Sequence, residues 1–167
     1  DLLEHGALPW REAVSLAADI AAALAHAADH GVLHRDVKPS NVLLSKGRHA
    51  KVVDFGIAHI EDEATLTEAG AVVGTLAYMA PESLDRGLHA ERSAVWALGA
   101  VRHELLRGER PFQANSHAHL VSTILQAEPR PMPTERELPA SLAELVEHCL
   151  AKAPEDRPSS VHALERA

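Results

Sequence analysis

The sequence is poor in several things, and each shortage excludes something. It has one cysteine, Cys149, so neither an intrachain disulfide nor a multi-thiolate metal site is available. Aromatic residues make up only 3%, so a core must be built from Leu, Val, Ile and Ala. No run of ~18 apolar residues exists, which excludes a transmembrane helix by composition. Positive charge is outnumbered, 16 Lys and Arg against 24 Asp and Glu, a balance of −8 with His neutral. A general nucleic-acid binder would carry the opposite excess. The first residues, Asp1-Leu2-Leu3-Glu4-His5, lack a basic segment and an initiator Met, so they do not form a signal peptide and suggest a cut from a longer chain.

What is present is enough for a folded domain. The chain has 167 residues, 46% of them hydrophobic and 24% charged, which argues against disorder. A chain of this size buries ~70% of its unfolded surface. Residues 9–30 predict a helix. Pro9 suits the first helical position, and Ala13, Leu16, Ile20, Leu24 and Ala27 recur at three or four residues. Gly31 suits a left-handed stop. The texture then changes to short β-prone runs, Val32-Leu33, Val42–Leu44 and Lys51–Val53, consistent with small hairpins. Residues 60–74 form a long polar connection.

A helix is expected over 93–107, with Ser93 as N-cap and Gly108 as stop. Its apolar residues lie on more than one face, so protein should surround it. Two further amphipathic helices follow at 116–127 and 140–152, separated by Pro129, Pro131 and Pro133. A short helix starts near Ser159 or Ser160. The expected architecture is mainly α, of α+β type, with a small β element early on.

Chemistry concentrates beside the early strands. His34-Arg35-Asp36-Val37-Lys38-Pro39-Ser40-Asn41 is a dense polar loop, and Asp54-Phe55-Gly56 directly follows a strand. Asn41 and Asp54 offer hard oxygens that suit Mg²⁺, which keeps water and phosphate as its other ligands. Lys38 is a point cation two residues from Asp36, suited to a phosphate.

These segments resemble the eukaryotic-type protein kinases. The loop matches H-R-D-x-K-x-x-N in full, followed by Val42-Leu43-Leu44. Asp54-Phe55-Gly56 matches D-F-G, Ala80-Pro81-Glu82 matches A-P-E, and Gly74-Thr75 matches the substrate-facing loop. Arg157 stands at the distance of the arginine that pairs with the A-P-E glutamate. Each motif alone is common; all of them in order are specific. Lys38 after Asp36 is the Ser/Thr pattern, and the bacterial Ser/Thr kinases are the nearest flavour.

The resemblance implies a kinase-like large lobe in which short hairpins carry the catalytic loop and the D-F-G segment. It implies a Ser/Thr kinase using ATP with Mg²⁺ (or Mn²⁺) on protein substrates, in the cytoplasm, with no nucleic acid or membrane contact from this segment. Asp36 would take or orient the proton of the attacking hydroxyl, and Lys38 would steady the transferring group. Asn41 and Asp54 would hold the metal. His34, Phe55 and Gly56 would be structural, and Phe55 a packing switch. Arg35 would receive a phosphothreonine from the loop carrying Thr65 and Thr67, and Thr75 would face the substrate hydroxyl. Glu82 and Arg157 would form a buried pair without chemistry.

Two departures stand out. No Gly-rich loop, strand lysine or partner Glu is present, so the resemblance covers the carboxy-terminal lobe alone, with residues 1–8 as a remnant of the inter-lobe segment. The small lobe is then a missing partner, and the isolated chain is expected to be inactive. Second, Ser93-Ala94-Val95-Trp96 stands where the family has S-D-V-W; Ala94 cannot hydrogen-bond the H-R-D loop. That change supports an alternative, a pseudokinase-type scaffold. Arg102 and His103 are unexpected in a buried helix, and Arg102 should reach the surface or a carboxylate. His117 and His119 are two residues apart on one helix, a spacing that does not place both on one face for a metal. Cys149 reads as a small buried hydrophobe.

Overall fold

A computed structural model describes residues 6–55, 71–133 and 138–165. Gly56, Thr65 and Thr67 lie outside the described residues. Helix α1 runs Trp10–Asp29, one residue later than expected because Pro9 is its N-cap. Its end is a Schellman motif: Gly31 turns left-handed at φ 73°, its N–H reaches Ala28 O, and the Val32 N–H reaches Ala27 O. That capping duty is why Val32-Leu33 is not a strand. Among the described residues one hairpin remains, β1 (Val42–Leu44) antiparallel to β2 (Ala50–Val52), with Val42 opposite Val52. Asp19 Oδ2 accepts the Ala50 N–H at 2.8 Å and fastens β2 to α1.

Two short helices interrupt what the sequence presents as irregular chain. Helix α2 (Ala71–Leu76) takes the end of the expected 60–74 connection, and α3 (Pro81–Arg86) begins within the A-P-E segment, with Ala80 as its N-cap. Pro81 at the first position and Gly87 at φ 64° bound α3. Central helix α4 is Glu91–Arg107, and every residue from Val95 to Leu106 is buried. Ser93 is not its N-cap. Ala90 holds that place, and Ser93, one turn in, accepts the Ala90 N–H at its Oγ (3.2 Å).

Helices α5 (His117–Gln126), α6 (Ala140–Cys149) and α7 (Val161–Glu165) complete the order, with α6 shorter than its 140–152 pattern. α1 packs on α4, α7 and β2, and α4 also packs on α6 and α7. Gly99 permits the α4–α6 approach: a Cβ there would stand 2.5 Å from Cys149 Cβ. Trp96 stacks on Phe112 with ring centroids 5.6 Å apart, so two of the few aromatic rings anchor the core together. Cys149 is fully buried, and its thiol is raised to about 11 by burial. The protein is thus mainly helical, with one small sheet edge presenting the polar loop.

Candidate active site

The loop from His34 to Asn41 is held from both ends by its own sequence. Pro39 starts a 3-10 turn over Pro39–Asn41, and the Asn41 N–H closes it onto Lys38 O. Buried His34 donates from Nε2 to Val53 O (2.9 Å) and accepts the Asp36 N–H at Nδ1 (3.3 Å). One neutral tautomer satisfies both contacts. The Val53 N–H in turn reaches Asn41 O at 2.9 Å. Val53 is therefore tied to residues on either side of Asp36, which sets Asp54 beside the loop. Arg35 and Asp54 both adopt left-handed backbone, φ 62° and 59°, a costly conformation for non-glycine residues that is typical of functional turns.

Four side chains converge. Asp36 Oδ2 accepts from Lys38 Nζ (2.7 Å) and from Asn41 Nδ2 (3.0 Å). Asn41 Nδ2 also donates to Asp36 O at 2.8 Å. Lys38 Nζ donates to Thr75 Oγ1 at 2.7 Å, bringing α2 to the loop. Phe55 packs on His34, with ring centroids 4.6 Å apart. Asn41 commits its amide nitrogen to Asp36, leaving Oδ1 for a cation, and Asp54 is an exposed carboxylate. Two hard oxygens from protein, with water and phosphate completing the set, fit Mg²⁺. No cluster of three or more His, Cys, Asp or Glu suited to a metal occurs among the described residues, including around His117 and His119.

Behind the loop lies a cavity of about 30 Å³, lined by His34, Arg35, Asp36, Tyr78 and Ala94 among others. Asn41 and Asp54 do not line it. It is a gap behind the His34–Asn41 loop, large enough for a water or two, and Ala94 forms part of its wall.

Glu82 and Arg157 meet away from these groups. Arg157 Nη1 and Nη2 each lie 2.8 Å from a Glu82 oxygen, and the arginine side chain is fully buried. Its remaining donors reach Ala151 O, Arg92 O and Lys152 O. Burial alone would raise the Glu82 carboxyl; hydrogen bonds from Arg157 and Ser93 outweigh it and hold it below the ordinary value.

Sequence reasoning overlooked three contacts. Ser93 Oγ donates to Glu82 Oε1 (2.7 Å). Tyr78 donates to Glu104, and burial raises its phenol well above the ordinary range. Lys152 Nζ stands 4.1 Å from the Phe112 ring centroid and donates to Ile124 O, and burial brings its amine down to about 8. Arg102 corrects an expectation: it is 4% exposed and so does not reach the surface, and no carboxylate among the described residues pairs with it.

A polar loop carrying Asp, Lys and Asn, tied to the strand end before Asp54-Phe55 and to Thr75 of α2, with a separate A-P-E helix locked by Arg157, is the arrangement of a protein-kinase-like large lobe. The protein kinase domain family matches residues 1–167, and the chain belongs to it. It is similar to the serine/threonine-protein kinase PknH of Mycobacterium bovis, 40% identical over 160 residues, covering 95% of this chain and 27% of that protein. It is also similar to PkaA of Streptomyces coelicolor (41% over 162 residues, 95% and 29%) and PknB of Mycobacterium leprae (37% over 155 residues, 91% and 25%), both named serine/threonine-protein kinases. The chain spans between a quarter and three tenths of these relatives.

Proposed function

We propose that this chain is the large lobe of a Ser/Thr protein kinase, transferring the γ-phosphoryl group of ATP to Ser/Thr hydroxyls of protein substrates. The observation that carries this is the Asp36 carboxylate, bonded at one oxygen to both Lys38 and Asn41. Those bonds orient it and leave Oδ1 to accept the proton of an incoming hydroxyl. Lys38 spans Asp36 and Thr75, so its ammonium lies where acceptor hydroxyl and transferring group meet. Thr75 faces the substrate. Asn41 and Asp54 hold Mg²⁺ or Mn²⁺, which neutralises phosphate charge during transfer. Arg35 receives a phosphothreonine from the segment carrying Thr65 and Thr67.

A small lobe completes the nucleotide cleft in this reading. Leu43 and Leu44 of β1, 55% and 42% exposed, supply apolar surface for it to cover. Residues 1–8 join the two lobes, and the chain alone is inactive. The site of action is cytoplasmic, with no contact to nucleic acid or membrane from this segment; no helix among the described residues is long and apolar enough to cross a bilayer.

The test is γ-labelled ATP with the whole protein. Label on Ser or Thr that requires a divalent cation and is lost in Asp54→Asn is the expected result. Label unaffected by Asp54→Asn would contradict the metal assignment. Ala94, which offers no carboxylate to the catalytic loop, favours a second reading as a scaffold; absence of label from wild type would support it.

A further inference from the structure

Among the chain's 12 histidines, His26 and His30 meet at the carboxy-terminal end of α1, apart from the residues assigned to phosphoryl transfer. They stand four positions apart, about one helical turn, a spacing that sets two side chains over one another on one face. Their ring centroids are 4.5 Å apart, with the rings tilted by 47°. Both residues are exposed. His30 Nδ1 lies 2.8 Å from His26 O. A carbonyl oxygen only accepts, so Nδ1 carries the proton and Nε2 keeps its lone pair. Metal-binding histidines are prepared in this way, with one ring nitrogen fixed to a carbonyl and the other left to coordinate.

The separation suits a shared ion. Two imidazoles held cis on one metal, at ~2.0–2.1 Å per nitrogen, place their centroids roughly 4.5–5 Å apart. The surroundings favour positive charge. The negative end of the α1 dipole falls within this last turn. Asp29, next to His30 in the chain, adds an exposed carboxylate, whose Oδ1 lies 3.1 Å from His162 Nε2 of α7. Glu91 stands on the far side of His162, 3.9 Å from its Nδ1. No third His, Cys, Asp or Glu converges on the two rings among the described residues, so water completes the shell.

We propose that His26 and His30 together bind one borderline divalent transition ion, Cu²⁺ most tightly and Ni²⁺ and Zn²⁺ less so. Imidazole selects these ions over Mg²⁺, which prefers hard oxygens, and Cu²⁺ heads the affinity order for nitrogen ligands. The ion fastens the last turn of α1 directly ahead of the left-handed Gly31, where the chain turns towards the His34–Asn41 loop. The site shares no ligand with Asn41 and Asp54 and is independent of phosphoryl transfer.

Calorimetric titration of the whole protein with Cu²⁺ in glycine buffer, which competes away weak sites, tests this. Wild type should bind a Cu²⁺ equivalent that His26→Ala weakens about ten-fold or more, because the second ring acts at high effective concentration once the first has bound. His30→Ala should weaken the same equivalent to the same degree, and the double variant little further, as expected for one ion held by two rings. His119→Ala, which removes an exposed histidine elsewhere, should leave it unchanged, and so should excess Mg²⁺. Cu²⁺ should also raise the urea midpoint of wild type more than that of the double variant. Should an alanine variant fail to melt cooperatively, His26→Gln and His30→Gln carry the same comparison. No Cu²⁺ equivalent sensitive to either ring, losses that simply add in free energy, or displacement by Mg²⁺ would overturn the proposal.

Discussion

Among the described residues two arginines are buried, and they live in opposite circumstances. Arg157 uses all five of its donors, on both Glu82 oxygens and three carbonyls. Arg102 uses one contact, and Nε and Nη1 find nothing. Both side chains are shielded from water, so burial does not separate them; the partner does. Arg157 locks the A-P-E helix to the segment before α7. Arg102 holds a single carbonyl, Leu164 O, and no carboxylate among the described residues.

The difference is breakable by matched substitutions. Arg157→Met strands the Glu82 carboxylate and should lower stability by ~3–5 kcal/mol, measured by urea unfolding. Arg102→Met relieves an unpaired charge and should leave stability equal or raise it, since burial of a charge is replaced by burial of an isosteric apolar chain. Equal losses at both positions would erase the contrast. Gly99→Ala tests the α4–α6 contact near Arg102. Its Cβ would sit 2.5 Å from Cys149 Cβ, so a loss of ~1–3 kcal/mol is expected from overpacking. Cys149→Gly should recover part of that loss, and a neutral Gly99→Ala would mean the helices can separate freely.

Acid should unpick the two neighbourhoods at different pH. Next to Arg102, His103 lies between Glu109 O (3.1 Å) and Arg130 O (2.7 Å), and a neutral ring donates to only one. Burial, chiefly, lowers its pKa, with Arg107 and Arg130 adding to the effect. A histidine lowered in the folded state is stabilising above its ordinary 6.5 and loses that stabilisation as pH falls below 6.5, because the unfolded chain takes up the proton first. The slope is at most ~1.4 kcal/mol per pH unit. Glu82, also lowered, keeps its contribution down to its ordinary 4.5 and loses it below. Stability measured from pH 7 to 3.5 should therefore fall in two stages, and His103→Gln should remove the first. A single fall below 4.5 in wild type would contradict this.

The polar loop of the candidate site was legible because its residues are contiguous. Asp36, Lys38 and Asn41 fall within six positions, and their mutual bonds are local. The Glu82–Arg157 pair is 75 residues apart and was reached through motif resemblance; periodicity alone contains no trace of it. Val32-Leu33 was misplaced because β-propensity competes with a capping duty that depends on Gly31 being left-handed. Ser93 was misplaced by one turn because its hydroxyl serves the helix from inside, accepting the Ala90 N–H while donating to Glu82. Helices α2 and α3 are six residues each, too short to show a period. Arg102 was visible as an anomaly in a buried pattern, but the pattern could not say whether a carboxylate waited nearby. Thr65, Thr67 and Gly56 fall outside the described residues, so the phosphothreonine role assigned to Arg35 rests on resemblance.

The central claim is that Asp36 accepts the proton of the substrate hydroxyl. It is tested most directly by Asp36→Asn in the whole protein, assayed for transfer of γ-labelled phosphate to a Ser/Thr substrate with ATP and Mg²⁺. Asparagine keeps the shape and removes the base, so the turnover rate should fall ~10²–10⁴-fold while the protein stays folded. An unchanged rate in a folded Asp36→Asn protein would contradict the account.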